Sequence, residues 1–531
     1  SATPSTALDV VGEITVLNSN TGVYVGSNNS ATGKYSVALG YDNDAYTEKS
    51  VAVGYNNSSS GPESSTFGRG NQTDDDYSTA VGYENKATGE WASAFGKAND
   101  ASYKSVALGI GNNANGNQSV AVGYSNNATA TDTTALGRAA TASALAATAV
   151  GRDSKATGDY ALAVGYLNNA NTNATAVGRS NEASNTYTTA VGYDNRANEN
   201  RATAMGAGNR ATGSESTTIG YTNKAVGNAT AIGRDNNARG NASTAMGSSN
   251  EAYGDYATSI GYNNANTGAG QDQTAVGSEN QILGDRATAV GADNKATSYS
   301  AALGYNNDAT ASNTTAVGVN SQATVTNATA IGSSNEATGE YSTAVGYNNT
   351  AANRDSAFGF SNTSISNSTA LGYSNEATGG QCTAVGYNNA ATANTSVAVG
   401  YQNNAYKETS TAAGIENAAS GTRSTAVGYQ NKTFATDATA LGKSNIASAA
   451  SSTALGSTNT ASYASATAVG MQNTASKSET TAIGYTNYST GTQSTTLGYT
   501  NTANTRAAAL GYSNVAAADA TAVGVDNDAS A

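Results

Sequence analysis

Tyrosine, asparagine and aspartate carry most of the chemistry available to this 531-residue chain, because histidine is absent and Cys382 is the only thiol. Tyrosines recur in one phase at Tyr41, Tyr55, Tyr83, Tyr124, Tyr166, Tyr193, Tyr347, Tyr387 and Tyr429. Tyrosine supplies a large contact area at small entropic cost, so such a column suits recognition of glycans or proteins. The plainer reading packs it beside an apolar stripe against a neighbouring chain, since Arg, Lys, Ser and Ala replace it in other repeats. Two residues beyond each of these tyrosines lies asparagine, and the same phase carries Asn43, Asn57, Asn71, Asn85, Asn99 and Asn126. These are expected to form turns, because Asn tolerates the left-handed region, and to hydrogen-bond to their copies as a ladder. Asp74-Asp75-Asp76, with Asp42 and Asp44 close in repeat phase, offers the hard oxygen ligands that calcium takes. The glycine-rich calcium nonapeptide is missing, however, and a solvated acidic loop is expected. Without imidazole or a second thiol there is no His-based triad, no disulfide within the chain and no Cys/His zinc site. The residues assign no catalytic, cofactor or metal role, and an enzyme is not expected.

The element that positions these columns is a repeat. Thr79-Ala80-Val81-Gly82-Tyr83-Glu84-Asn85-Lys86-Ala87 returns as Thr189-Ala190-Val191-Gly192-Tyr193-Asp194-Asn195-Arg196-Ala197 and as Thr343-Ala344-Val345-Gly346-Tyr347-Asn348-Asn349-Thr350-Ala351. The phrase recurs about every 14 residues for roughly 37 turns, the mark of a solenoid. Glycine in every turn, amid β-branched Val, Thr and Ile, excludes a helix. Thr-Ala-Val-Gly-Tyr suits a short strand, and a second short strand is expected at Ala-Thr or Ala-Asn, as at Ala156-Thr157.

Alternation along the strand puts Ala80 and Gly82 on one side and Thr79, Val81 and Tyr83 on the other. With the small set inward, the coil interior is thin and an apolar column lies on an outer face. That column includes Val81, Val122, Val150, Val164, Ile219, Val345, Val399 and Ile483. A monomer rarely leaves such a stripe wet, so self-association along the chain is expected. At about 4.8 Å per strand, 37 coils would span roughly 180 Å. Shortened intervals, such as Gly96 to Gly109, and the longer Gly261 to Gly277, are expected to fall in loops. Residues 21–531 read as one continuous repeat domain after an N-terminal linker or cap at 1–20.

A formal net charge of -13, with only 12% charged residues, leaves no electrostatic footprint for nucleic acid or anionic lipid. No apolar stretch approaches the roughly 20 residues of a membrane span, and Ser1-Ala2-Thr3-Pro4 does not open a signal peptide. The chain therefore reads as a mature product or a fragment.

Ser36-Val37-Ala38-Leu39-Gly40, Ser50-Val51-Ala52-Val53-Gly54 and Ser119-Val120-Ala121-Val122-Gly123 resemble the head repeats of trimeric autotransporter adhesins. The resemblance covers about residues 21–531, in dozens of in-phase copies. It implies an all-β, left-handed parallel β-roll, a side-by-side homotrimer, and a cell-surface role in binding host matrix or other surfaces. Such adhesins continue into a neck, a coiled-coil stalk and a membrane anchor, for which these residues hold no counterpart. The segment from Ala2 to Val16 is similar to a linker of phage tail fibres, which leaves a receptor-binding viral fibre as the alternative. A passive spacer filament is the third reading. Ice binding is the weakest, because threonine keeps mainly to one column.

Overall fold

The structure, a computed structural model, describes residues 22–268 and 270–530. The linker expected at 1–20 lies outside the described residues. Among the described residues every regular element is a β-strand. Thirty-seven five-residue strands alternate along the chain with two-residue strands. One long strand, one short strand and two turns make one coil of a parallel β-solenoid. The chain falls into two units, the first ending at Ile260 and the second beginning at Gly261.

In the first unit, the coil at residues 79–92 shows the construction. Its long strand Thr79–Tyr83 pairs in parallel and in exact phase with Ser65–Arg69 on one side and Ser93–Lys97 on the other. Its short strand Lys86–Ala87 pairs likewise with Gln72–Thr73 and Asp100–Ala101. Ser78, Ala80, Asn85 and Ala87 are wholly buried, so the interior is one small side chain thick. A buried methylene is worth only about 0.8 kcal/mol, so this alanine core is modest per coil and gains by repetition.

Gly82 is fixed twice over. Its φ is +123°, and a Cβ there would sit 1.9 Å from the carbonyl oxygen of Gly96 in the next coil. Both turns also place a residue in the left-handed region, Glu84 at φ 53° and Trp91 at φ 60°. Each thereby aims its N–H at the preceding coil, Glu84 to the Arg69 carbonyl at 2.8 Å and Trp91 to that of Asp76 at 2.9 Å. Turn propensity assigns the left-handed position to asparagine. The residue before it holds that conformation instead, which turns the asparagine side chain into the interior.

The short strand also begins one residue earlier than the sequence suggests, at Lys155–Ala156 and Arg210–Ala211. The following Thr157 still donates its N–H to the Ala170 carbonyl at 2.9 Å, but it opens the turn. Shortened coils lose their residue from the second turn. Four residues separate Asp100–Ala101 from Val106–Ile110, while five separate Lys86–Ala87 from Ser93–Lys97, and strand pairing is unchanged.

The second unit is built alike. Thr383–Tyr387 pairs in parallel with Thr369–Tyr373 and Val397–Tyr401 around buried Ala384, Asn389 and Ala391. The extra length between Gly261 and Gly277 falls between the short strand Ala265–Asn266 and the long strand Thr274–Ser278. This unit also carries unusual interior residues: Gln273, Ile282, Asp355 and Cys382.

Candidate functional site: the outward columns

The alternation that buries Ala80 turns Thr79, Val81 and Tyr83 away from the interior. The coil core is alanine, serine and asparagine; the Val/Ile/Leu column lies outside it. Val81, Val122, Val150, Val164, Val345 and Ile483 are half-buried in the isolated chain, and Ile219 and Val399 are exposed.

The adjoining tyrosine column is exposed at Tyr41, Tyr55, Tyr124, Tyr193, Tyr347, Tyr387 and Tyr429, and half-buried at Tyr83 and Tyr166. Neighbouring coils stack their rings. Tyr347, Phe360, Tyr373, Tyr387 and Tyr401 form one run with centroids 4.8–5.1 Å apart and planes within 12° of parallel. In the first unit, cations fill the same column. The Arg69 guanidinium lies 5.4 Å from the rings of both Tyr55 and Tyr83, and that of Arg152 lies 4.0 Å from Tyr166. Arg179 sits between Tyr166 and Tyr193, at 5.7 and 5.4 Å. The arginines that break the tyrosine pattern in sequence thus extend its stacking in space, through cation–π contact. Ring faces inside the column are occupied, so the rings offer edges and hydroxyls to the outside.

The asparagine column forms a continuous hydrogen-bond chain. Asn85 Nδ2 donates to the carbonyls of Val81 at 2.9 Å and Gly96 at 2.7 Å, and to Asn71 Oδ1 at 3.0 Å. Its own Oδ1 accepts from the N–H and Nδ2 of Asn99, at 3.1 and 2.9 Å. Asn43, Asn57, Asn71, Asn99 and Asn126 each donate in the same way to the glycine carbonyl of the next coil. Every polar atom of the amide is satisfied, as burial requires. The chain is interrupted where Ala140, Ser154 and Ser321 take the asparagine position.

In the acidic loop, Asp74 accepts two hydrogen bonds from Gln72, and Asp75 Oδ1 accepts the N–H of Asp76 at 2.9 Å. Among the described residues no three acidic or thiol side chains converge as a metal-ligand set. Cys382 is buried, its Sγ 3.1 Å from Ser368 Oγ and from the Gly379 and Ala391 carbonyls. Burial pushes its thiol pKa up, which keeps it protonated and inert. Asp355 lies in the same interior column. Its Oδ1 accepts the Ser368 N–H at 2.6 Å, its Oδ2 has no partner, and burial raises its pKa.

One column escapes the sequence reading. The left-handed residue of the second turn is aromatic at Tyr35, Tyr77, Trp91, Tyr160, Tyr187, Tyr256, Tyr299 and Tyr341, all exposed. The only trace in sequence is their phase, two residues before each long strand.

The profile of the YadA head domain repeat matches the chain many times, from residues 25–43 and 31–57 through 183–209 and 323–349 to 475–501. Together the matches span well over half of the chain. A search of curated proteins finds no match. No helix among the described residues is long and apolar enough to cross a membrane. Repeated profile matches, the parallel solenoid and its glycine and asparagine columns agree, and the chain belongs to the family of YadA head domain repeats, the adhesin heads of trimeric autotransporters.

Proposed function

We propose that this chain is an extracellular adhesin head that attaches a cell to host, matrix or other surfaces through many repeated contacts. The observation that carries the reading is the outward face of each unit, where a part-exposed Val/Ile/Leu column runs beside the tyrosine column on a YadA-type backbone. A stripe of that kind seeks cover, and three chains packed side by side supply it without a separate partner. Repetition then converts weak contacts into avidity, with no deep pocket required. The head is an adhesive and structural element; no residue is assigned a catalytic role.

The test is attachment of the purified chain to immobilised matrix proteins and to cells, repeated with chains shortened by blocks of whole coils. Attachment should fall gradually as coils are removed. A chain that binds no surface is a spacer, and abolition of binding by deletion of one loop would replace the distributed face with a single site.

A further inference from the structure

The second-turn edge holds two clefts of matching chemistry, one in each unit. In the first unit a cleft of about 350 Å³ is lined by Thr186, Tyr187, Asn200, Arg201 and Ser214. In the second a cleft of about 320 Å³ is lined by Gln271, Asp285, Arg286 and Tyr299. Tyr187, Arg201 and Glu215 occupy the same position in three successive coils, two residues before the long strands Thr189–Tyr193, Thr203–Ala207 and Thr217–Tyr221. Asp272, Arg286 and Tyr299 do the same before Thr274–Ser278, Thr288–Ala292 and Ala301–Tyr305. Each cleft therefore takes an aromatic and an arginine from neighbouring coils, in opposite chain order, and the acid that pairs with the arginine stands at the same position one coil further on, beside the lining residue Ser214 or Gln271. The arginine is held by the acid: Arg201 Nη1 lies 3.0 Å from Glu215 Oε1, and Arg286 Nε lies 3.7 Å from Asp272 Oδ2.

Two physical features set these tyrosines apart from the stacked column. Neither the Tyr187 nor the Tyr299 ring stacks on another ring, though both are exposed. Tyr299 has Arg286 5.7 Å from its centroid. Both residues sit in the left-handed region, at φ 59° and 58°, where a bulky side chain costs free energy that Asn173 or Asn313 in the same column avoids more cheaply. An aromatic kept at a strained, solvent-facing position points to recognition. The polar lining then selects the ligand. A guanidinium beside a carboxylate presents donors and acceptors together, the pattern that a pair of vicinal hydroxyls answers, while a tyrosine ring accepts the C–H face of a pyranose. The volumes lie at the lower end for small-ligand sites, the size of one or two sugar rings.

We infer that the Tyr187–Arg201 and Arg286–Tyr299 clefts bind pyranose residues of surface oligosaccharides. This rests on the attachment reading for its biological sense and deepens it by naming a ligand class. The experiment is a printed array of neutral and acidic oligosaccharides probed with the full chain, followed by titration of the best-bound oligosaccharide. The comparison variants are Tyr187→Ser with Tyr299→Ser, serine being found in this column at Ser451 and Ser465, and Tyr373→Ser in the stacked column. The double variant should keep its β circular dichroism and lose affinity by about tenfold or more, while Tyr373→Ser leaves affinity unchanged. An array on which the folded chain binds nothing, or equal affinity in the double variant, overturns the inference. Cell attachment that survives in the double variant while oligosaccharide binding is lost leaves the adhesin reading standing and confines the clefts to glycan recognition. Lost attachment with retained oligosaccharide binding contradicts the inference that Tyr187 and Tyr299 form the site.

Discussion

The two units share one backbone and differ in what they hang on it. After the glycine of each coil, the first unit interleaves tyrosine with Arg69, Lys97, Arg138, Arg152, Arg179 and Arg234, whereas the second has Lys443 as its one cation in that column. The second stacks ring on ring in longer runs, from Tyr347 to Tyr401 and from Tyr485 to Tyr512, where the first stacks Tyr41 on Tyr55. Inside, both units leave a few buried polar atoms unpaired, Ser119 Oγ and Ser243 Oγ in the first and Gln273 Oε1 in the second, but among the described residues only the second buries a carboxylate, Asp355, whose Oδ2 has no partner. Outward columns are thus free to vary in chemistry because the pairing is made by the backbone. Inward positions are held to the volume of alanine, serine or asparagine, and departures from that set cost stability.

The comparison breaks most sharply at the glycines. Gly192→Val and Gly386→Val put a side chain on φ +120° and +122° backbone, with Cβ 2.0 Å from the next coil's carbonyl oxygen in both units. Each should cost about 3 kcal/mol or more and open the flanking coils equally, as read by site-resolved hydrogen exchange. Unequal losses would show that the units do not share one backbone constraint. Next come the asparagines. Asn195→Ala removes the side-chain donor to the Val191 and Gly206 carbonyls and the acceptor used by Asn209. A loss of roughly 2 kcal/mol in local opening free energy is expected there, and likewise for Asn403→Ala. Ala140→Asn should do the reverse, restoring the chain to Asn126 for a gain of about 1 kcal/mol.

Asp355 sharpens the interior contrast. Its folded-state pKa is raised, so the protonated form is the one the fold favours. Its contribution is present below the unfolded-state pKa and is lost as pH rises through the folded-state value. Asp355→Ser should therefore stabilise the second unit by about 1–2 kcal/mol at neutral pH, and the gain should shrink toward about pH 4. A gain independent of pH would show that volume, not charge, is the fault at that position. The smallest effects belong to the outward column. Tyr373→Ser should cost about 1 kcal/mol by losing two ring stacks, and Arg179→Ser about 0.5 kcal/mol by losing two ring contacts. Equal and negligible losses would mean that the column contributes nothing to stability.

Much of this was legible in sequence, because a 14-residue period multiplies every local preference many times. The long strand, the inward Ala80 and the outward Val81 follow from alternation once the period is known. The turn was harder. Asn propensity for the left-handed region pointed to Asn85, while Glu84 takes that conformation and the buried amide is used for hydrogen bonding across coils. Arg138 and Lys97 read as breaks in the tyrosine column, since a pattern of letters does not show that a guanidinium or an ammonium stacks on a ring. The Tyr187 and Tyr299 edge was hidden because it lies outside the repeated phrase, at a position where most coils carry polar residues.

The central claim is that the outward Val/Ile/Leu column is an interface between copies of this chain. Native mass measurement of the full chain tests it most directly. Three chains per particle, persisting on dilution and lost when Val81, Val122 and Val150 are changed together to Asp, is the predicted result. A stable monomer at every concentration, with those valines open to solvent, would contradict it.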